Sequence, residues 1–313
     1  MFGKTKLFLI IASMLCMASC DTIREDLPRC ELWLEFAFDY NMEYADAFNP
    51  QVKSVDVFVF GSDDKLLFSK RAEATALIGG NRMSLTNELD FGNYKVLTVG
   101  SLSDNFHALD NAGRELVPGT TTLRQLTVAL KRASDIVDFE FQHLYFSGVV
   151  EVDHLPSNTD HKVYRVNLIR NTNRFNIALM KYGEGQKNGT QYTFEIQAPE
   201  SATYSWENEP THQGPVHYVP HYTGQGETSD VFVSARLNTM RLFNRDGWDY
   251  QFIIKNADTG TKIWSYDLMK LYRDRQSEWN LIFTVTEKSG GGEFIQIGLV
   301  VGTWIYWLHG IEI

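Results

Sequence analysis

One cysteine near the N-terminus has the surroundings that attachment of a lipid requires. Two lysines precede an apolar run over residues 7–15, which is too short to cross a bilayer as a helix. An alanine and Ser19 then lead to Cys20, and small residues before a cysteine fit the cleavage pocket of a lipoprotein-processing peptidase. We therefore predict an export signal over residues 1–19, cleavage between Ser19 and Cys20, and acylation of the Cys20 thiol. The alternative is an ordinary secretory signal that is cleaved nearby, with Cys20 incidental.

The cysteine count agrees with a lipid and argues against a disulfide. The chain has three cysteines. Cys16 leaves with the predicted signal and Cys20 carries the lipid, so Cys30 remains as the one thiol of the mature chain. No intrachain disulfide is then possible, although an exported protein could form one. The fold must be held by its core, and the acyl chains on Cys20 would hold the protein at a membrane.

The best candidates for a metal site are three histidines in one segment, His212, His217 and His221. Their imidazole nitrogens could bind zinc or copper if the segment folds back on itself. Flanking prolines and tyrosines instead favour a surface loop that is packed by its own aromatic rings, and the irregular spacing lacks the geometry of known sites. We therefore predict no metal and no other cofactor.

The other residues that could do chemistry form no catalytic pattern with a specific spacing. The sequence lacks a His-Glu-x-x-His zinc motif, a Gly-x-Ser-x-Gly nucleophile turn and a phosphate-binding glycine loop. Its many carboxylates are not paired in a way that singles out a glycosidase. We predict that the protein is not an enzyme.

Aromatic side chains could instead bind sugars. The chain has seven tryptophans and fourteen tyrosines, and Trp206, Trp248 and Trp264 lie in or near predicted loops and turns. Exposed rings at such positions could stack on sugar rings. The alternative is that they fill the core and the edges of β-sheets, which use aromatic residues heavily. The sequence favours this second interpretation.

The charge of the mature chain narrows its possible partners. Loss of Lys4 and Lys6 with the signal takes the formal net charge from -10 to -12. An acidic surface repels phosphate backbones, so we predict no nucleic-acid partner. The most apolar later stretch, residues 295–308, is interrupted by Gly298 and Gly302 and is more typical of a strand than of a membrane helix. With 43% hydrophobic residues, the mature chain is expected to be a soluble globular body on a lipid tether.

Most of the chain has the alternation of apolar and polar residues that predicts β-strands. The pattern extends over residues 32–40, 54–59, 137–146 and 294–301, among others. Turn sequences rich in Gly, Asn and Asp separate these segments. Closely spaced strands with long polar loops indicate an all-β fold of antiparallel sandwiches.

A polar corner at residues 171–173 divides the strands into two groups. We predict a lipidated tether over residues 20–30, an N-terminal β-sandwich over residues 31–171 and a C-terminal β-sandwich over residues 172–313. Within the second half, residues 198–229 form a long irregular segment rich in His, Pro, Tyr and Gly. A loop of that length is usually functional or mobile.

Several blocks of residues occur in an order that is typical of one protein family. The most specific block is Phe38-Asp39-Tyr40-Asn41-Met42 with Tyr44-Ala45-Asp46-Ala47-Phe48. The others are Cys20-Asp21 with Arg24-Glu25-Asp26-Leu27-Pro28 and Cys30, Pro50-Gln51-Val52 with Val55 and Val57-Phe58-Val59-Phe60, Leu168 with Arg170-Asn171-Thr172-Asn173, and Tyr272 with Asp274-Arg275-Gln276, Glu278-Trp279-Asn280 and Phe283. Together they cover nearly the whole chain, and they resemble the FimB-type fimbrial anchor and assembly family of Gram-negative anaerobes. Residues 304–308 match the closing strand of that family only loosely.

This resemblance implies two tandem transthyretin-like β-sandwiches, a lipid anchor in the outer membrane at the cell surface, and a non-enzymatic role at the base of a fimbrium. Members of the family secure the fibre and limit its length. Stalk or accessory fimbrial subunits are the implied partners, and exchange of β-strands between subunits is the implied mode of contact.

Two questions stay open at this point. The alternation in residues 294–313 suits insertion into the groove of a neighbouring subunit, but it suits the last strand of the second sandwich equally well. The runner-up function is a surface lipoprotein that binds glycans at the outer membrane through aromatic residues of its second half.

Overall fold

The fold is that of a computed structural model, which describes residues 31–154, 161–181, 192–200, 202–211, 214–224, 231–288, 292–301 and 304–308. This part of the chain is almost entirely β-structure, as the sequence predicts. It also contains the short helix α1 (Phe48–Gln51) and single 3-10 turns at Ala74–Ala76, Leu123–Gln125 and Leu268–Leu271. None of the helices described there is both long and apolar enough to span a bilayer.

The strands fall into two groups along the chain. In the first half they are β1 (Glu31–Ala37), β2 (Ser54–Phe60), β3 (Leu66–Glu73), β4 (Arg82–Ser84), β5 (Gly92–Gly100), β6 (Phe106–Asp110), β7 (Leu126–Leu130), β8 (Ile136–Val137), β9 (Tyr145–Ser147), β10 (Val150–His154) and β11 (His161–Arg170). In the second half they are β12 (Thr172–Lys181), β13 (Tyr192–Ala198), β14 (Thr203–Ser205), β15 (Val216–Tyr218), β16 (Tyr222–Gly224), β17 (Val231–Met240), β18 (Gln251–Asn256), β19 (Lys262–Asp267), β20 (Glu278–Lys288), β21 (Gly292–Val301) and β22 (Trp304–Leu308).

Strand β1 illustrates how the alternation of the sequence builds the first core. Leu32, Leu34 and Phe36 are buried, and the residues between them are half-buried. These three side chains share a core with apolar residues of β2, β5 and β11. β1 lies between β4 and β11 in an eight-stranded sheet of order β3-β2-β5-β9-β11-β1-β4, with β10 paired to β5.

Three further sheets complete the described part of the fold. Their strand orders are β16-β17-β12-β20-β21-β22, β19-β18-β13-β15-β8 and β14-β7-β6. Most neighbouring strands are antiparallel, whereas β1–β11, β12–β20 and β8–β15 are parallel pairs. The prediction of an all-β fold built from tandem sandwiches is confirmed.

Strands of one half pair with strands of the other. β8 of the first half pairs with β15 of the second, and β14 of the second half pairs with β7 of the first. The second core contains buried side chains from both halves. Phe58 and Phe146 come from the first half, and Phe175 and Phe283 come from the second. The boundary at residue 171 therefore stays a prediction about position in the chain, because strand pairing and packing cross it.

Two local expectations differ from the structure. The single strand predicted over residues 137–146 is wrong, because β8 ends at Val137 and β9 begins at Tyr145. Residues 198–229, which were expected to be irregular, contain the three-residue strands β14, β15 and β16.

The C-terminal segment forms the end of the six-stranded sheet. β21 pairs with β20, and β22 pairs with β21. Residues 302–303 and 309–313 lie outside the described part of the chain. In the described residues, β21 and β22 are the last strands of the six-stranded sheet, as expected if they close the second sandwich. Insertion of this segment into a neighbouring subunit stays a prediction.

Candidate functional site at the junction of the two halves

Three of the sequence blocks quoted above come together in space. They are the blocks that begin at Phe38, Leu168 and Tyr272, and hydrogen bonds and an ion pair connect them where the two halves meet. We call this region the junction.

The chain crosses between the halves through a buried polar corner. β11 ends one residue before Asn171 and β12 begins one residue after it, so an extended segment runs through both halves. Residues 171–173 are at most 3% exposed. The backbone N–H of Asn171 donates to the carbonyl oxygen of Leu144 (2.7 Å), and the backbone N–H of Arg241 donates to the carbonyl oxygen of Asn171 (2.9 Å). Because buried polar groups need partners, these bonds to both halves hold the crossing in place.

A buried arginine ties the crossing to the second half. The Arg170 side chain is 5% exposed and donates to Oε1 of Glu278 (2.7 Å) and to the carbonyl oxygen of Thr172 (3.1 Å). His143 lies beside this pair, 3.3 Å from Oγ1 of Thr172. Burial, together with the charges of Arg170 and Arg174, lowers the pKa of His143 to about 3. His143 is therefore neutral at physiological pH, and Glu278 compensates the charge of Arg170.

A second arginine is held between two aromatic rings. The guanidinium carbon of Arg275 lies 4.5 Å from the ring centroids of both Tyr40 and Tyr44. Its Nη1 donates to the carbonyl oxygen of Asp39 (3.2 Å), and the Tyr40 hydroxyl donates to Oδ1 of Asp274 (2.5 Å). Partial burial and the Asp274 carboxylate raise the pKa of Tyr40, so its hydroxyl stays a donor. We call these five residues the arginine clasp.

Two residues of the clasp have a backbone conformation that side chains rarely adopt. The φ angle is +54° at Tyr44 and +67° at Arg275. This left-handed region costs a residue other than glycine roughly 1–2 kcal/mol, so it persists only where the surroundings impose it. An arginine over an aromatic ring contributes about 0.5–2 kcal/mol. Two such residues cost about 2–4 kcal/mol and stacking on two rings contributes about 1–4 kcal/mol, so the stacking is of the same order as the strain. The clasp joins a loop of the first half to a turn of the second.

The residues predicted for lipid attachment lie outside the described part of the chain. These are Ser19 and Cys20, with the signal segment before them. Signal cleavage and acylation therefore stay predictions.

The three histidines proposed as metal candidates do not form one site in the described residues. His212 lies outside them, Nδ1 of His217 is 2.6 Å from Oε1 of Glu195, and His221 contacts a buried asparagine on β17. Glu195 also accepts a hydrogen bond from Lys255. Burial alone would raise the pKa of Glu195, but the hydrogen bonds from Lys255 and His217 lower it. Among the described residues, no group of three His, Cys, Asp or Glu side chains could hold a metal.

The three tryptophans considered for sugar binding have different surroundings. Trp264 is 5% exposed and stacks on Tyr266, and Trp248 packs against the second core beside Phe243. Trp206 is half-buried and lines an open cleft. The interpretation as core residues therefore holds for Trp248 and Trp264.

Sequence reasoning singled out the blocks that contain the clasp but gave its residues no role. Tyr40 and Asp274 are separated by 234 positions and Arg170 and Glu278 by 108, so no local pattern could pair them. The available signal was the resemblance, which marked these blocks as a set.

The fold and the junction define the class first: an all-β protein of tandem β-sandwiches whose halves are joined by buried and stacked arginines. The model of the family of fimbrillin-A associated anchor proteins Mfa1 and Mfa2 matches residues 27–310. The chain belongs to this family of fimbrial anchor proteins, which is a structural family and not one of enzymes. The resemblance stated from the sequence is thereby confirmed.

Solved structures agree with this assignment. A candidate adhesin from Bacteroides ovatus is 71% identical, with a TM-score of 0.85 over 94% of this chain and 100% of that chain. A candidate polysaccharide-binding protein from Bacteroides thetaiotaomicron is 26% identical, with a TM-score of 0.74 over 90% of this chain and 98% of that chain. The fimbrial anchor protein Mfa2 from Porphyromonas gingivalis shares the fold at 17% identity, with a TM-score of 0.68 over 90% and 99%. No curated protein matches the chain.

Proposed function

We propose that this protein is a lipid-anchored fimbrial subunit. It tethers a fimbrium to the outer membrane at the cell surface through Cys20, and it contacts stalk or accessory subunits through β-strands. Membership of the anchor family supports the fimbrial part of this proposal. The lipid and the strand contact are argued from the sequence and from the placement of the strands.

One observation carries the proposal: β1 begins at Glu31, directly after the predicted tether of residues 20–30. It pairs with β11 over seven positions, from Glu31–His161 to Ala37–Asn167. Because the two strands are parallel, a pull on Cys20 and an opposite pull at the C-terminal end of β11 would shear one strand along the other. All the hydrogen bonds between them would then bear the force at the same time. The bonds would then have to break together, which suits a subunit that carries a mechanical load.

The junction would pass that load to the second half. β11 continues through Asn171 into β12, and β12 pairs in parallel with β20 over eight positions. The ion pair between Arg170 and Glu278 joins the end of β11 to the start of β20. A continuous path of strands would therefore connect the tether to the C-terminal half.

The end of the six-stranded sheet is the surface that we assign to a neighbouring subunit. β22 is the last strand in the order and pairs with β21 alone among the described strands. An edge strand presents unpaired backbone N–H and C=O groups, and a strand from a fimbrial subunit can satisfy them.

Replacement of Cys20 tests the anchor, and Cys30 provides a matched control. We expect Cys20→Ala to release the protein and the fibres it holds into the medium, whereas Cys30→Ala leaves both on the cells. Immunoblots of cell and medium fractions, with electron microscopy of the fibres, measure this. Retention of the Cys20→Ala protein on the cells would contradict the lipid anchor.

A second arm of the same assay tests the strand contact. Deletion of residues 303–313 removes β22, and we expect fibres that detach or exceed their normal length while the protein itself stays on the cells. Fibres that remain bound at normal length would show that the contact lies elsewhere.

A further inference from the structure

An open cleft lies between side chains of the first half and Trp206 of the second, and it shares no lining residue with the junction. It has a volume of about 340 Å³ and is lined by Asp64, Lys95, Leu123, Arg124, Val149, Glu151 and Trp206. We call it the Trp206 cleft. A second cavity of about 540 Å³ shares Lys95 and Glu151 as lining residues and lies next to the first. Volumes of roughly 300–1,000 Å³ are typical of sites for small ligands.

Two strands position charged residues of the cleft's rim, and nearby apolar residues form its floor. Lys95 on β5 and Glu151 on β10 stand directly opposite each other in the antiparallel register. Val149, one residue before β10, also lines the cleft and packs against the second core. Leu123 is buried at the edge of the second core, and Trp206 packs against the same core. The cleft therefore has an apolar floor beneath a rim of charged groups.

The turn that carries Trp206 is held rigidly. Its preceding strand β14 pairs with β7 of the other half. The backbone N–H of Ser205 donates to the carbonyl oxygen of Glu209 (2.8 Å), and the N–H of Asn208 donates to the carbonyl oxygen of Ser205 (2.9 Å). A ring fixed in this way loses little conformational entropy when a ligand binds.

The charged groups of the rim are balanced. Lys95 and Asp64 form an ion pair at 2.6 Å. The side chains of Arg124 and Glu151 make no hydrogen bond or ion pair with any other residue in the described ranges, and both are exposed. Arg124 is a positive donor and Glu151 a negative acceptor. Together with the Lys95–Asp64 pair, the four charges of the rim sum to zero, so the rim does not select an ion. Hydroxyl groups, which both donate and accept, suit Arg124 and Glu151.

An added peptide strand does not suit the cleft, because the outer edge of β14 is already occupied. The N–H of Thr211 donates to the carbonyl oxygen of Thr203 (2.8 Å), and Glu209 satisfies Ser205 as described above. No backbone edge is left there for pairing with a partner strand.

We propose that the Trp206 cleft binds a neutral oligosaccharide, with a pyranose ring against the indole of Trp206 and hydroxyl groups bonded to Arg124 and Glu151. The apolar C–H face of a pyranose matches the indole and the apolar floor, and its hydroxyls match the rim. This binding function is separate from fimbrial anchoring and does not depend on it.

Calorimetric titration of the full chain, purified from membranes in detergent, tests the proposal. The probes are maltohexaose, cellohexaose, laminarihexaose and mannohexaose, with hexagalacturonate as the anionic comparison. We expect at least one neutral hexasaccharide to bind. Trp206→Ala and Glu151→Gln should each weaken that binding about tenfold, the ratio that corresponds to about 1.4 kcal/mol.

Tyr222→Ala is the matched control, because Tyr222 is an exposed ring (47%) on β16, in a different sheet from β14, and it does not line the cleft. It should leave the affinity within about twofold, well below the tenfold change that one aromatic contact can supply. Since Trp206→Ala could affect folding, circular dichroism accompanies each variant, and the exposed Glu151 provides the independent measurement.

Three results would overturn the proposal. They are no binding of any neutral hexasaccharide at millimolar concentration, binding that Glu151→Gln leaves unchanged, and binding of hexagalacturonate alone. Loss of fibre attachment in Trp206→Ala without any change in sugar binding would also overturn it and would assign the cleft to a protein partner.

Discussion

Because strands of the two halves pair with each other, we predict that neither half folds alone. The perturbation is to divide the chain at Asn171 into fragments 31–171 and 172–313. Fragment 31–171 loses β14, the partner of β7, and β15, the partner of β8. It also loses the second-half residues that complete the shared core. We expect both fragments to lack stable tertiary structure.

The free-energy cost of losing these strands can be worked out from four buried apolar side chains near them. Leu126 and Val128 lie on β7, Val137 lies on β8, and the carbonyl oxygen of Phe141 accepts a hydrogen bond from Asn238 of the second half (2.6 Å). All four apolar side chains are at most 2% exposed. Exposure of each costs about 1.5–3 kcal/mol, so the set costs about 6–12 kcal/mol. The whole free energy of unfolding of a domain is about 5–15 kcal/mol.

Urea unfolding is the measurement, followed by far-UV circular dichroism and by tryptophan fluorescence. We expect one transition in the full chain, coincident by both probes, and no cooperative transition in either fragment. An equimolar mixture of the fragments is the control, because it restores the missing strands and should recover the transition. If fragment 31–171 alone unfolded cooperatively with a free energy within about 2 kcal/mol of the full chain, the reasoning would be refuted.

Two further predictions concern single side chains, measured by urea unfolding of the full chain. Arg275→Lys keeps the charge but loses the planar stack on two tyrosine rings, and should lower the free energy of unfolding by about 1–2 kcal/mol, whereas the exposed neighbour Arg273→Lys should not. An unchanged Arg275→Lys protein would contradict the clasp. Burial raises the pKa of Glu200 from 4.5 to about 7, so the stability that its protonation provides is present below pH 4.5 and is lost as the pH rises through 7. The change that Glu200→Gln makes in the free energy of unfolding should therefore be more stabilising at pH 8 than at pH 5 by about 2–3 kcal/mol, and the exposed Glu207→Gln should show no such difference. Equal effects of Glu200→Gln at both pH values would count against the buried carboxylate.

The sequence alone was sufficient to predict most strands, because half-buried strands alternate in a readable way. β1 and β2 follow the alternation of Leu32 to Phe36 and of Val55 to Val59. Each of these strands has at least one long pairing partner, and β2 also packs Phe58 and Phe60 into the second core. In both strands, the residues at the alternating apolar positions are the ones that face the first core.

Prediction failed where a segment changes sheets. Residues 137–146 alternate as one strand would, with Val137, Phe139 and Phe141 on one side. In the structure β8 pairs with the second half, whereas β9 pairs with β5 and β11 of the first. A segment that supplies two sheets must leave the strand conformation between them, and alternation does not reveal which sheet a residue faces.

Short strands escaped prediction for a related reason. β14, β15 and β16 have three residues each, which is too few to show a period. Each is held by a longer strand, β7, β13 and β17 respectively, and β7 is distant from its partner in the chain. Their conformation is imposed by tertiary pairing, and the Pro, Gly and His of this segment gave the impression of a loop.

The corner at residues 171–173 shows how one sequence signal can support two opposite structures. Asparagine and threonine favour turns, so the sequence predicts a boundary between domains at this run. Exposed polar residues at such a boundary would permit the halves to move. Buried ones require partners, and Asn173 donates through Nδ2 to the carbonyl oxygen of Met240 (2.8 Å) while Asn171 bonds to both halves. The buried polar groups therefore fix the path from β11 into β12 instead of making a hinge, and in the proposed anchor this fixed path would transmit the load.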